Sequence, residues 1–173
     1  MSSPVIAFTS KYGSTRRYAT ALGRRLGTPA VDLAELDTAS GADPLIVLAP
    51  VYATRILGRR RVIRAIRSAP GRVALVVVAM SPADDPGRGD LADRLVTATR
   101  RAVTTFHLRG DFDPARLTWP DRALMSALRR ELRRTPEAPA AKMLLSGERL
   151  EFVDEGTLDP VVAWAVDDTR VEP

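Results

Sequence analysis

The sequence of 173 residues contains no cysteine and a single histidine, His107. Without cysteine the chain has no disulfide, no thiolate nucleophile and no cysteine-bound zinc. One histidine excludes a metal site built on several histidines and argues against a Ser-His-Asp triad. We interpret His107, which stands in a predicted strand, as a structural residue.

Long apolar segments are also missing. No apolar run approaches the roughly 18–20 residues that a transmembrane helix needs. Residues 1–4 contain no basic side chain of the kind that opens a secretory signal. We therefore expect a cytoplasmic protein. With 45% hydrophobic and 27% charged residues, the chain is expected to form a globular fold.

Lysine is scarce, because Lys11 and Lys142 are the only two and the other basic residues are arginine. Residues 1–150 carry 25 basic and 14 acidic residues, a net charge of +11, whereas residues 151–173 carry one and seven, a net charge of −6. A genome rich in G and C, whose codons favour arginine, is one explanation of this arginine content. The alternative is a negatively charged partner that carries phosphates, carboxylates or an anionic surface. Trp119 and Trp164 are far apart in the sequence and do not alternate with basic residues as the aromatic residues of single-stranded nucleic-acid binders do. We therefore expect no nucleic acid partner.

Short apolar runs rich in β-branched residues alternate with amphipathic helical patterns. Continuous runs of this kind are typical of strands buried on both faces of a parallel sheet. The predicted strands cover residues 5–8, 30–33, 45–49, 73–80 and 103–108, and the predicted helices cover 14–26, 55–68, 90–105, 121–134 and 160–165. This alternation indicates βαβ units and a three-layer α/β sandwich.

Residues 111–152 depart from this alternation. A basic amphipathic helix over 121–134 places Leu124, Leu128 and Leu132 on one side and arginines around the rest. We predict a single domain over residues 1–173, with a basic helical insertion at about 111–152 before the last helix. The basic helix suits an anionic bilayer or a carboxylate-bearing ligand. A solvated surface helix is the alternative.

The junction after the first predicted strand carries the strongest functional signal. Residues 9–16 read Thr-Ser-Lys-Tyr-Gly-Ser-Thr-Arg, with a helix beginning at once. Hydroxyl groups, backbone N–H groups and the positive end of the helix dipole converge at such a junction, which favours a bound phosphate. The spacing fits neither a Walker loop nor the Gly-x-Gly-x-x-Gly loop, and suits a phosphate monoester. An ordinary capped helix start is the alternative.

Residues 10–15 resemble the phosphate loop Ser/Thr-x-x-Gly-x-Thr of flavodoxin-like FMN proteins. Residues 10–19 resemble most the branch of that family that contains menaquinone-dependent protoporphyrinogen oxidase. The similarity continues through residues 47–52, 76–80 and 151–155. The resemblance implies a three-layer flavodoxin-like α/β sandwich, a parallel five-stranded sheet in the order 2-1-3-4-5, and FMN at the carboxyl edge of the sheet.

By the same resemblance, three loops bind FMN. The implied residues are Ser10, Lys11, Tyr12, Gly13, Ser14 and Thr15 around the phosphate, Pro50, Val51, Tyr52, Ala53 and Thr54 on one side of the ring, and Ser81, Pro82, Ala83 and Asp84 on the other. Tyr52 is a candidate to stack on the flavin, and packing at a strand end is its alternative. Family members often have glycine near position 54, and Thr54 departs from that pattern.

Three functions stay open. The first is an FMN-dependent oxidoreductase, similar to protoporphyrinogen oxidase, that passes electrons from a small-molecule substrate to a quinone. In that case the helix over 121–134 suits peripheral contact with the inner face of the membrane. The second is a flavodoxin-type electron carrier, whose partner is another redox protein. The third is an interaction domain of the same fold without FMN.

Overall fold

The computed structural model describes residues 4–36, 39, 41–52, 54–134 and 144–167. The chain divides into two compact units. The first unit comprises Met1–Gly110 and Val153–Pro173, and the second comprises Asp111–Phe152. Residue 53 and residues 135–143, which fall within predicted site and insertion segments, lie outside the described residues.

The first unit is built on one twisted sheet. Its strands are β1 (Val5–Phe8), β2 (Ala30–Asp32), β3 (Leu45–Tyr52), β4 (Arg55–Ile56), β5 (Val73–Ala79) and β6 (Thr104–Arg109). The order is β2-β1-β3-β5-β6, and all of these neighbours pair in parallel. This confirms the predicted order of five parallel strands. The prediction missed β4, which pairs antiparallel with the end of β3.

Two hydrophobic cores lie on opposite faces of the sheet. All seven residues of β5 are buried, which is why this strand reads as an unbroken apolar run. Because side chains alternate along a strand, Leu75 and Val77 enter one core and Val76 and Val78 enter the other. Helices cover both faces, so the predicted three-layer α/β sandwich is confirmed.

Five α-helices have both ends within the described residues, and two 3₁₀ helices cover Pro114–Arg116 and Glu155–Leu158. The α-helices are α1 (Ser14–Leu26), α2 (Arg59–Ser68), α3 (Pro86–Thr99), α4 (Trp119–Leu132) and α5 (Asp159–Val166). The core with α2 and α3 contains Val62, Ile66 and Leu95, and the opposite core contains Tyr18 and Leu22 from α1 together with residues of α5. The bounds of α1 are those predicted from its apolar spacing.

Two predicted helix starts are wrong by four residues, for local reasons, and the third helix also ends at Thr99 and not at residue 105. The second helix begins at Arg59 and not at Arg55, because Arg55 pairs with the end of β3. The third begins at Pro86, four residues before its predicted start. Asp85 caps that helix by accepting hydrogen bonds from two backbone N–H groups, and Pro86 suits the first helical position.

Tyr18 ties three parts of the first unit together. Its ring is fully buried in α1. Its hydroxyl donates a hydrogen bond to the carbonyl of Arg109 at 2.8 Å and accepts one from the N–H of Asp154 at 3.0 Å. The end of β6 and the start of the C-terminal segment are therefore fixed at one point.

The second unit is small and centred on α4. An isolated bridge joins Phe112 to Leu150, near the two ends of the unit. Leu117 and Leu144 are buried, and the carbonyl of Leu144 accepts a hydrogen bond from Nε of Arg129 at 2.9 Å. No helix in the described part of the chain is both long and apolar enough to span a bilayer.

Candidate functional site

The loop between β1 and α1, together with the first two residues of α1, holds the first six predicted site residues. Gly13 precedes α1 with φ of 102° and ψ of −23°, a left-handed conformation that is costly for a residue with a Cβ. Its N–H donates to Oγ of Ser10 at 3.2 Å, and its carbonyl accepts from the N–H of Arg17 at 2.9 Å. Glycine at this position allows the chain to turn abruptly from the strand into the helix.

The N-terminus of α1 has no compensating negative charge. No side chain caps it, and its first turn contains no acidic residue. Arg16 and Arg17 lie in that turn, where a positive charge opposes the helix dipole. A bound anion would supply the acceptor and the negative charge that this helix end lacks in its first turn.

Two side chains of this loop lie below the surface. Thr15 is 2% exposed. The hydroxyl of Tyr12 is buried and has no hydrogen-bond partner among the described residues. An unsatisfied buried hydroxyl costs about 1–3 kcal/mol, so such a group is expected to meet a polar atom that completes the site.

The second predicted segment forms a hairpin and not a loop. Pro50, Val51 and Tyr52 are the last residues of β3, which extends three residues beyond its predicted end. Tyr52 pairs with Arg55, and the N–H of Leu57 donates to the carbonyl of Pro50 at 2.9 Å. Antiparallel pairing with β4 thus gives this side of the site a regular, hydrogen-bonded backbone.

Thr54 lies in the turn of this hairpin, next to Ala53, which is outside the described residues. Its φ is 63°, a left-handed value. For a residue with a Cβ this conformation costs roughly 1–2 kcal/mol, and β-branching makes it rarer still. Thr54 therefore adopts the backbone conformation that glycine adopts freely.

The loop and the hairpin are in contact. Nζ of Lys11 lies 3.8 Å from the ring centroid of Tyr52 and 5.5 Å from that of Tyr12. Gly58, just after the hairpin, packs closely against Thr9. A side-chain Cβ at position 58 would lie 3.4 Å from Cγ2 of Thr9. The structure therefore brings the first two predicted segments together. One face of Tyr52 is covered by the Lys11 ammonium, which a ring stacking on that face would have to displace.

The third predicted segment follows β5 at the same edge of the sheet. Its residues are Ser81, which is half-buried, and Pro82, Ala83 and Asp84, which are exposed. The Arg109 guanidinium donates to the carbonyl of Met80 through Nη2 at 3.2 Å. Asp84 thus presents its carboxylate to solvent, while the start of the segment is held by hydrogen bonds from a neighbouring strand.

The comparisons with known proteins address the family directly. The family model described as a flavodoxin domain matches residues 5–138, well over half of the chain. The chain belongs to the flavodoxin domain family. A search of solved structures finds "Structure of a flavodoxin from the domain Archaea", with a TM-score of 0.42 and 14% identity over 61% of this chain and 83% of that one. A search of curated proteins finds no match.

Flavodoxin domains usually bind a flavin, FMN, and the residues of this flavodoxin domain fit such a group. The buried Tyr12 hydroxyl lacks a partner in the described part of the chain. The uncapped start of α1 offers backbone N–H groups, and Ser10 places a hydroxyl beside them. A phosphate monoester is the kind of group that these donors suit.

This flavodoxin domain also contains a buried arginine that the sequence analysis missed. Arg88 is 2% exposed and donates to the carbonyls of Ala79 at 2.9 Å and Leu108 at 3.1 Å, and also to that of Ser81. Burial lowers the pKa of its guanidinium, and Asp85 opposes that effect. Arg88 thereby fixes the loop after β5 to the carbonyl ends of β5 and β6.

One sequence signal pointed to Arg88. It precedes the buried residues Ala92 and Leu95 by four and seven positions, so it stands on the inward stripe of α3. His107 lies nearby: burial, and to a lesser extent Arg88, lower its pKa. Its Nδ1 is buried without a hydrogen-bond partner among the described residues. A neutral imidazole is what this environment favours.

Proposed function

We propose that this chain binds FMN at the carboxyl edge of its sheet and acts as an FMN-dependent oxidoreductase. The observation that carries the proposal is the β1–α1 loop. It combines a left-handed Gly13, an uncapped helix start and the buried, unpartnered hydroxyl of Tyr12, within a domain of the flavodoxin family. A bound phosphate would supply the negative charge and the acceptor that the uncapped helix start lacks.

In this proposal each segment has a distinct task. Ser10, Tyr12, Ser14 and Thr15 hold the phosphate. The β3–β4 hairpin and residues 81–84 line the two sides of the ring. FMN supplies the redox chemistry when bound, while the protein orients it and sets its electrostatic surroundings. The exposed carboxylate of Asp84 lies where negative charge would lower the reduction potential of a nearby flavin.

The substrate is proposed from the resemblance of residues 10–19 to the branch that contains menaquinone-dependent protoporphyrinogen oxidase. A porphyrinogen would be oxidised and a quinone would accept the electrons. No residue of the chain is assigned as an acid or base in this proposal. Anaerobic assays with protoporphyrinogen and menaquinone, using FMN-loaded protein, test it. Turnover of neither compound, with FMN bound, contradicts it.

Contact with an anionic membrane surface, including the inner face of the cell membrane, is proposed for α4. Leu124 is 50% exposed and Leu128, one turn later, is 40% exposed, and Arg122 and Arg130 of the same helix are also exposed. Apolar and arginine faces of this kind suit an anionic bilayer surface. Flotation with vesicles containing phosphatidylglycerol should capture the protein, and Leu124→Asp with Leu128→Asp should abolish capture.

The decisive experiment is titration of FMN-free protein with FMN, followed by visible absorbance and flavin fluorescence. We expect saturable micromolar or tighter binding with shifted flavin absorption bands. Absence of binding would favour the interaction domain without FMN. Binding accompanied by reduction through a reductase, with no turnover of small substrates, would favour the electron carrier.

A further inference from the structure

A hollow of about 720 Å³ lies over the β3–β4 hairpin and the start of α2. Small-molecule sites in proteins have volumes of roughly 300–1,000 Å³, so the hollow has the size of such a site. Its lining combines the apolar side chains of Tyr52, Ile56 and Leu57 with five arginines. The hollow therefore offers both an apolar surface and positive charge to one molecule.

The register of the hairpin explains this combination. Val51 lies opposite Ile56, and Tyr52 lies opposite Arg55. Because successive residues of a strand point to opposite faces, Ile56 enters the core while Tyr52 and Arg55 share the other face of the hairpin. An aromatic ring and a guanidinium group thus stand side by side at the edge of the hollow.

We define the arginine rim as Arg55, Arg59, Arg60, Arg61 and Arg64. All five side chains are exposed, and the described part of the chain offers none of them a hydrogen bond or an ion pair. Residues 44–83 contain no aspartate or glutamate. Arg64 stands three residues after Arg61 and four after Arg60, spacings at which like charges on a helix repel each other. A negatively charged ligand would relieve this repulsion.

The arginine rim spreads its charge over separate positions. Arg55 belongs to the hairpin, whereas the other four lie on α2. Successive residues of a helix point about 100° apart, so these guanidinium groups cannot all meet on one small anion. Arg61 and Arg64 also line a second hollow, of about 190 Å³, beside residues 33–39. A molecule with anionic groups at two ends matches this distribution better than a single phosphate or carboxylate does.

The hollow adjoins the proposed flavin site. Tyr52, which lines it, lies under Nζ of Lys11 from the β1–α1 loop, 3.8 Å from the ring centroid. Gly58, another lining residue, packs against Thr9 at the start of the same loop. A ligand in the hollow would therefore lie beside the hairpin and the loop that we propose to hold FMN.

We infer that this hollow binds an organic reactant of the proposed enzyme, a molecule with an apolar body and anionic groups at two or more separated positions. The apolar body would rest on Tyr52 and Leu57, and the anionic groups would meet Arg55 at one end and Arg64 at the other. The role of this molecule as a reactant rests on the proposed FMN binding, whereas its binding to the hollow does not.

Calorimetry on FMN-free and FMN-loaded protein tests the inference with three probes. Naphthalene-2,6-dicarboxylate has a carboxylate at each end of an apolar body, 2-naphthoate has only one carboxylate, and succinate has two without the aromatic body. We expect the naphthalene dicarboxylate to bind at least about tenfold more tightly than either of the others, because it alone satisfies both the arginine rim and the apolar surface. In FMN-loaded protein its binding should also shift the flavin absorption bands.

The bisphosphate of 2,6-dihydroxynaphthalene, which has the same body, identifies the anionic group. Tighter binding than the dicarboxylate would assign phosphates to the ligand, and weaker binding would assign carboxylates. Either result supports the inference, provided that the doubly charged probe binds more tightly than 2-naphthoate.

The variant is Arg55→Gln with Arg64→Gln, and it should remain folded because both side chains are exposed. We expect the preference for the dicarboxylate over 2-naphthoate to fall below about threefold. The matched control is Arg94→Gln, an exposed arginine on α3, which should change the dicarboxylate affinity by less than about twofold.

Equal binding of the dicarboxylate and 2-naphthoate to the wild type would overturn the inference, as would an unchanged preference in the double variant. Tighter binding of duplex DNA or polyglutamate than of the dicarboxylate would also overturn it, because the arginine rim would then serve a macromolecule. The FMN titration is independent. FMN binding without the dicarboxylate preference removes only the reactant site, and the reverse result removes the FMN proposal.

Discussion

The helices α1 and α3 both begin at the carboxyl edge of the sheet, yet their first turns are completed differently. Asp85 caps α3, because its carboxylate accepts hydrogen bonds from the N–H groups of Gly87 at 2.8 Å and Arg88 at 3.3 Å. The start of α1 has no such side chain, and Gly13 stands in the cap position.

The difference separates a helix start that the protein completes by itself from one that, in our proposal, a ligand completes. A carboxylate at the N-cap supplies both the acceptor and the negative charge that a helix end needs, so α3 is complete without a ligand. The start of α1 has no capping side chain at its N-cap and no acidic residue in its first turn. In our proposal a phosphate supplies the acceptor and the negative charge.

The largest expected effect is a loss of FMN affinity on removing hydroxyl groups at the start of α1. Replacing Ser10 and Thr15 by alanine together should weaken FMN binding by several kcal/mol, because a hydrogen bond to a charged group contributes roughly 1.5–3 kcal/mol. Fluorescence titration measures the loss. Thr20→Ala, an exposed change on the same helix, should leave the affinity unchanged. Retained affinity in the folded double variant would refute the phosphate assignment.

The second largest expected effect is a loss of stability on replacing Arg88, near the start of α3. Arg88→Met should lower the free energy of unfolding by about 3 kcal/mol, because it leaves the carbonyls of Ala79 and Leu108 without their buried donor. Urea denaturation measures the change. Arg94→Met, on the exposed side of α3, should stay within about 0.5 kcal/mol of the wild type. A similar small effect at Arg88 would mean that these hydrogen bonds add little.

Removing the Asp85 cap of α3 should have a smaller effect on stability. Asp85→Ala should destabilise the protein by about 1 kcal/mol, the usual loss for an N-cap carboxylate. Because Asp85 satisfies α3 and not the ligand, FMN affinity should change little. A lower melting temperature with unchanged FMN titration is the expected pair of results. A large loss of FMN affinity would show that the α3 start also belongs to the site.

The smallest expected effect comes from placing an acidic residue at the start of α1, as Asp85 is placed at the start of α3. Arg16→Glu should stabilise the FMN-free protein by about 0.3–1 kcal/mol, because a negative charge then faces the positive end of the helix. The same charge repels a phosphate, so FMN should bind more weakly. Thermal melts with and without FMN separate the two effects. If stability and affinity change in the same direction, the α1 start is not an anion site.

Most of the fold was predictable because its signals are local. The continuous apolar runs predicted the strands, and the spacing of Tyr18 and Leu22 predicted α1. Helix starts were less accurate where tertiary pairing decided them. Arg55 reads as helical on its own, and only its pairing with Tyr52 makes it a strand residue.

The candidate site was predictable only in outline. Residues 10–15 are contiguous, so their loop could be read directly from the sequence. The contact of Lys11 with Tyr52 joins residues far apart in the chain, and no local pattern contains it. Arg88 was missed because the predicted helix began only at residue 90, and because its carbonyl acceptors lie in two distant segments, the end of β5 with its following loop and the end of β6.

The double hydrogen bond of the Tyr18 hydroxyl has a consequence for how this chain accommodates new sequence. Because Arg109 and Asp154 meet on one oxygen atom, the stretch between them leaves and re-enters the sheet domain at nearly the same point. A segment with such adjacent ends can be shortened, lengthened or exchanged with little strain on the sheet. The sheet and its two cores therefore tolerate changes in the length of the chain between Arg109 and Asp154.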